Sequence, residues 1–212
     1  MQQPARKTWK QDPAAVRGDI LRVAVSVFSA NGLKGGRIEE IVARTKTSKR
    51  MIYYYFGDKE GLYRAALEAA YARMREAEAE LDLDGVEPVQ GLMRLVRFTF
   101  DHHRENVDFV RLVMIENVHG AAHLRASEVI QGVNAPAITV LETLVQRGVA
   151  AGVFRADLDP MALHWQISAL CFFNVSNRPT FSALYGDALF RDQDQEALRE
   201  EVVRAVLGYA CV

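Results

Sequence analysis

The chain has 212 residues and a mass of 23.8 kDa, half of them hydrophobic and a quarter charged. That is the composition of one folded globular domain, or of two sharing a core, and it excludes a disordered or collagen-like chain. The net charge of −1 hides an asymmetry: residues 1–57 hold eleven Lys/Arg against four Asp/Glu, a net +7, while residues 58–212 hold 15 against 23, a net −8. A segment that basic suits a polyanion, whereas the acidic remainder repels one.

Residues 1–12 read as a flexible basic arm carrying Arg6, Lys7 and Lys10. Asp12-Pro13 then has the form of an N-cap followed by proline in the first helical turn. Val16, Ile20, Ala24, Val27 and Phe28 recur at spacings of three and four, which predicts a helix from about Pro13 to Ala30, closed by Asn31-Gly32. Ile38, Ile41 and Val42 predict a short second helix ending near Thr45. Ser48 is placed to cap a third helix with Ile52, Tyr55 and Phe56 inward; Gly57 stops it, and Asp58 caps an alanine-rich fourth helix running to about Leu81. Beyond the break at Asp82–Pro88, helices are expected near 89–104, 107–118, 127–151, 160–176 and 194–210. No alternating strand pattern competes, so the fold class is all-α: a three-helix head over residues 1–57 and a helical domain over 58–212.

The segment Arg37–Gly57 has the layout of a helix-turn-helix, whose second helix can enter the major groove of DNA. Its inner face is apolar (Ile38, Ile41, Ile52, Tyr55, Phe56), and its outer face carries Lys49, Arg50, Tyr53 and Tyr54. Ser48 opens the helix where free N–H groups and the positive end of the dipole attract phosphate. Arg50 is the best placed side chain for base readout, since a guanidinium pairs bidentately with guanine; one more phosphate contact is the alternative.

The run Ser48-Lys49-Arg50-Met51-Ile52-Tyr53-Tyr54-Tyr55-Phe56-Gly57-Asp58-Lys59-Glu60-Gly61-Leu62 resembles the signature of the TetR family of bacterial transcriptional regulators. The likeness covers about residues 14–63. It implies a ligand-responsive regulator, most simply a repressor, that binds a near-palindromic operator of double-stranded DNA as a homodimer. It also implies phosphate contacts from Tyr53, Tyr54 and Lys59, with Thr47, Ser48, Lys49 and Arg50 around the recognition-helix N-terminus. Two positions depart from the family pattern. Lys46 stands where glycine is usual in the turn, so either the turn differs or Lys46 is kept for DNA. Gly36-Arg37 stands where a capping Thr or Ser is usual, which leaves that phosphate contact to Arg37.

Dimerisation, which sets two recognition helices roughly 34–36 Å apart, falls to the C-terminal part. The helix from Pro160 to Ser176 is apolar nearly all round and must be covered on all sides. The last helix presents Leu198, Val202, Val206 and Tyr209 at helical spacing, and the two together would make a four-helix dimer bundle. The resemblance further implies a small-molecule effector, for which Phe98, His102, Arg111, Met114, Asn117, Trp165 and Asn174 are candidate pocket residues. Each has core packing or a solvated face as its plainer role. Residues Asn174–Phe181 loosely resemble the subgroup that includes pyrimidine-responsive regulators.

The chain shows no GxSxG, phosphate-loop or dinucleotide motif, so no enzyme activity or cofactor is expected; a helical enzyme, a ligand carrier and a protein-interaction adaptor are the rival readings. No metal site is expected either: His119 and His123 flank Gly120, and the neighbours His102 and His103 point to different sides of a helix. Two cysteines, Cys171 and Cys211, make no disulfide framework. The first residues lead into no signal-peptide core, and the most apolar stretch, 161–175, is too short to span a bilayer. The expected location is the cytoplasm, with no membrane partner.

Overall fold

In the computed structural model, which describes residues 12–212, the chain is a succession of helices. The expected basic arm lies almost entirely outside those residues. Helix α1 (Pro13–Gly35) opens on its cap, Asp12 Oδ1 accepting from the Ala15 N–H at 3.0 Å. Its geometry breaks at Gly32 (φ 66°, ψ 179°), the expected stop, and one further turn runs to Gly35. Helices α2 (Ile38–Arg44) and α3 (Lys49–Phe56) follow. Gly57 ends α3 at φ 78°, a left-handed backbone that glycine adopts without penalty. Asp58 Oδ1 accepts from the Gly61 N–H at 2.7 Å and opens α4 (Lys59–Ala79).

The C-terminal part comprises α5 (Pro88–Glu105), α6 (Val107–Val118), α7 (Ala122–Arg125), α8 (Glu128–Ala150), α9 (Pro160–Ser176), α10 (Arg178–Tyr185) and α11 (Asp192–Ala210). The five expected helices stand within two residues of their predicted bounds. Helices α7 and α10 are additions: α7 is one turn long, and α10 buries no residue, so neither leaves an apolar period in the sequence. Among the described residues extended backbone pairs only at the isolated bridge Phe154–Cys211, and no helix is long and apolar enough to cross a membrane.

Two buried clusters organise the chain. The first gathers Ile20, Val27 and Phe28 of α1, Ile41 and Ile52 of the helix-turn-helix, Leu62, Tyr63 and Leu67 of α4, and Val110 and Leu112 of α6. Apolar contact therefore continues past Gly57 into the C-terminal helices. The single stripe expected on α1 proves to be one of two, because Leu21, Val23 and Val25 are also buried. Helix α1 is covered by α4 and by α6, where Ser29 Oγ donates to Asp108 Oδ1 at 2.8 Å. The second cluster joins α5, α8, α9 and α11 through Leu92, Phe100, Leu141, Leu163, Ile167 and Val206. Paired hydrogen bonds from Arg97 to Glu200 (2.9 and 2.7 Å) and one from Arg199 to Asp101 (2.7 Å) clasp α5 to α11.

Helix α9 turns Leu163, Ile167, Cys171 and Asn174 inward and leaves Met161, Trp165, Leu170 and Phe173 exposed, Trp165 to 70%. One side of the helix is thus covered within the chain, and the side bearing these four residues is not.

Candidate nucleic-acid interface and internal cavity

Helix α3 is set by its caps and its one buried anchor. Ser48 Oγ accepts from the Met51 N–H at 3.3 Å, Ile52 is fully buried, and Tyr55 and Phe56 pack against the first cluster. With that side fixed, the 3.6-residue period turns Lys49, Arg50, Tyr53 and Tyr54 outward. All four are exposed, Tyr54 to 78%. Arg50 makes no hydrogen bond or ion pair among the described residues. Lys49 is engaged: its Nζ lies 2.6 Å from Glu39 Oε1 and 5.9 Å from the centre of the Tyr53 ring. The hydrogen bond between them holds the Glu39 carboxyl below its ordinary pKa and the Lys49 ammonium above. Phosphate would have to compete with Glu39 for this lysine.

The other expected contacts are spread around the same face. Thr47 is half-buried in the turn, and Arg37 is exposed at the start of α2 without forming a side-chain cap. Lys59 Nζ donates to the Lys34 carbonyl at 3.1 Å, tying the start of α4 to the α1–α2 corner. The turn at Lys46 dispenses with glycine: Ala121 is the one non-glycine residue at positive φ among the described residues, so Lys46 carries no left-handed strain.

A cavity of about 600 Å³ lies between α4, α5, α8 and α9, with α6 and α7 closing one end. Its walls are largely apolar (Met74, Leu95, Phe109, Ile138, Leu141, Ile167, Phe172). Polar groups enter mainly from Arg75 and Glu78 of α4, His103 of α5, Asn134 of α8, and His164 and Ser168 of α9. Arg75 bonds to Glu78 and donates through Nε to Asn134 Oδ1 at 2.8 Å; its side chain is 17% exposed. Burial pushes the His103 imidazole down to about 4 and lowers His164 too, so both rings are neutral at pH 7.

That depression has a measurable consequence. A histidine whose folded pKa lies below its unfolded value takes up its proton more readily on unfolding. Stability therefore rises with pH between about 4 and 6.5, and is lost as pH falls through that window. The expected slope from His103 alone is about 1.4 kcal/mol per pH unit at its steepest. His103→Leu keeps the site apolar and should flatten the curve of melting temperature against pH over this range; an unchanged curve would place the acid sensitivity elsewhere.

None of the seven expected pocket residues lines this cavity. Phe98 and His102 border a separate cleft with Arg73 and Asp101, although the His102 and His103 rings both pack near Phe109, with centroids 6.2 and 5.9 Å away. Arg111, Met114 and Asn174 line another cleft of about 740 Å³ against α10 and α11. There Asn174 is buried and exchanges hydrogen bonds with Gln195 at 2.8 and 3.1 Å. Asn117 and Trp165 face solvent. Arg75, Glu78, His103 and His164, which do line the cavity, are not among the expected pocket residues. Their only trace in the sequence is a charged pair three residues apart on α4, which ordinarily marks a solvated face.

Comparison with known proteins places both regions in one family. Residues 20–66 match the family model of bacterial regulatory proteins of the tetR family, and residues 88–206 match that of the tetracyclin repressor-like C-terminal domain. The chain belongs to the TetR family. It is 41% identical over 173 residues to the HTH-type transcriptional repressor NicS of Pseudomonas putida, covering 82% of each protein. It is 26% identical to the HTH-type transcriptional regulator RutR of Escherichia coli, over 97% of this chain and 99% of that one. Among solved structures, the fatty acid degradation regulator FadR from Bacillus halodurans superposes with a TM-score of 0.72 at 20% identity. The superposition covers 93% of this chain and 97% of that one. The TetR assignment makes the chain a transcriptional regulator rather than an enzyme, and gives α3 the place of the family's recognition helix.

Proposed function

We propose that this TetR-family chain is a homodimeric repressor that binds a near-palindromic operator in the cytoplasm and leaves it when a small molecule fills the cavity. The carrying observation is α4. Only two residues separate this single helix from the end of the recognition helix, and its far half supplies Tyr71, Met74, Arg75 and Glu78 to the cavity wall. A rod of that kind converts a small displacement at the cavity into a displacement of the head, given a ligand with unequal affinity for the two positions. The ligand fitting these walls has an apolar body and a polar group for the Arg75–Glu78 edge. The exposed strip Met161, Trp165, Leu170 and Phe173 of α9 supports dimerisation through α9 and α11, and the name of the relative NicS supports repression.

In this reading residues 1–57 are the DNA-binding head, with Arg37, Thr47, Ser48, Lys49, Arg50, Tyr53, Tyr54 and Lys59 on its contact face. The test is selection of binding sites from random duplex DNA, followed by a small-molecule screen for release of the selected operator. A compound that releases the wild type should fail to release Ser168→Trp, in which an indole occupies the cavity while the head is untouched. Absence of sequence-selective binding would overturn the regulator reading. Equal release of both proteins would move the effector site elsewhere.

A further inference from the structure

Between the head and the cavity lies a buried carboxylate that neither of them uses. Glu116 on α6 is fully buried. It accepts hydrogen bonds from Tyr63 Oη of α4 at 3.0 Å and from the backbone N–H groups of His123 and Leu124 in α7 at 3.1 and 3.3 Å. His123 Nδ1 stands 2.9 Å from the same carboxylate. A charge withdrawn from water to this degree persists only where its oxygens are satisfied, so the four contacts stand or fall together. The carboxylate pushes the Tyr63 hydroxyl further in the direction burial already drives it, upward in pKa and firmly protonated, so it remains a donor.

The chain around Glu116 is bent against its preference. Gly120 and Ala121 are both left-handed, at φ 67° and 56°, and alanine pays for that geometry in steric strain. The bend is what brings the first N–H groups of α7 back onto Glu116, with the Ala121 N–H donating to the Glu116 carbonyl at 2.7 Å. The contacts to Glu116 thus hold Ala121 in a backbone geometry that it would otherwise leave.

Its two ends reach the two functional regions. On one side Leu124 and Arg125 of α7 line the cavity, and Gln131 donates to the Arg125 carbonyl at 3.1 Å. On the other, the Tyr63 ring packs edge-on against Phe28 of the head core, with centroids 5.2 Å apart, and against His123 at 4.9 Å. His123 Nε2 also lies 3.6 Å from Glu60 in the first turn of α4.

We infer that Glu116 is a positioning residue that couples the cavity to the head, by holding the cavity-wall turn α7 and the head-proximal residue Tyr63 on one carboxylate. Motion of α7 away from α6 shifts the carboxylate whose Oε1 is shared by Tyr63 and His123 and so loosens Tyr63, and fixing the head on DNA steadies the same carboxylate. The inference rests on the repressor reading for what the coupling achieves, but the latch itself can be read without DNA.

The experiment is amide hydrogen exchange on the full chain, with and without an operator duplex obtained by selection from random DNA. In the wild type, operator should slow exchange at His123 and Leu124 about tenfold. Tyr63→Phe keeps the ring and its packing and removes only the hydroxyl. It should abolish this remote protection while leaving operator affinity within about threefold, and Glu116→Gln should do the same if it folds. A network that merely stabilises the fold would lower the melting temperature in both variants and leave the operator-dependent protection intact. That result, or no protection in the wild type, overturns the inference. If no operator can be selected, the repressor reading fails separately. The latch is then judged in the free protein, where Tyr63→Phe should speed exchange at His123 and Leu124 about tenfold relative to amides of α9, and unchanged exchange overturns it.

Discussion

Replacing Arg50 by alanine should cost the operator complex roughly 1–3 kcal/mol in each half-site, the worth of a bidentate contact to a base. Two half-sites make the loss roughly 2–6 kcal/mol, about 30-fold in affinity at the least. Arg50 is exposed on the second residue of α3, with no hydrogen bond or ion pair among the described residues. Nothing inside the protein is broken by its removal, so the melting temperature should stay put. The discriminating measurement is a selection profile. Loss of a base contact relaxes preference at one symmetric base pair, whereas loss of a phosphate contact weakens all sequences alike and reduces the salt dependence. An unaltered profile with uniformly weaker binding would make Arg50 a phosphate contact.

Gly61→Ala should be a highly damaging single-methyl change at the junction of the head and α4. A Cβ at Gly61 would stand 2.1 Å from the Phe56 carbonyl oxygen and 3.3 Å from Asp58 Oδ1. The first obstacle is backbone at the last residue of the recognition helix, so no side-chain rotation relieves it. Helices α3 and α4 must separate, at a cost of roughly 3 kcal/mol or more, above the usual range for overpacking because the obstacle is rigid. Since α3 is placed by its contact with α4, operator affinity should fall by more than about tenfold even in the fraction that stays folded. Gly18→Ala supplies the control. That glycine lies on the exposed side of α1 with nothing within 4 Å of a new Cβ, and alanine there should stabilise by up to about 1 kcal/mol. Chemical denaturation of the two variants should move in opposite directions, with operator binding reduced only in Gly61→Ala; a Gly61→Ala protein with wild-type stability and binding would refute the packing argument.

These two residues show how unevenly the molecule can be read from its sequence. Arg50 was legible, because caps at Ser48 and Gly57 and a buried Ile52 set the phase of α3 from neighbours within four or five positions. Gly61 stood in the family signature without a reason, and its reason is a contact made by the fold of the α3–α4 turn. Trp165 and Asn174 show where the sequence pattern leaves the location open. Both are polar or aromatic residues on an apolar helix, a fair mark of a pocket. One instead faces solvent on the uncovered side of α9, and the other ties α9 to Gln195 of α11.

By itself the sequence determined every helix but α7 and α10 and their order, the caps at Asp12, Ser48 and Asp58, the outward face of α3, and the polarity between a +7 head and a −8 body. These are local properties, decided by hydrogen bonds and periodicities that close within one or two turns. Only the tertiary structure decided where the cavity lies, that α1 is buried on two faces, and that Glu116 joins α4, α6 and α7. The cavity draws its walls from six helices between Tyr71 and Phe172, and Tyr63 meets Glu116 across 53 residues of chain. Which apolar or charged residues meet at such distances depends on how whole helices pack, and helical periodicity carries no record of the partner.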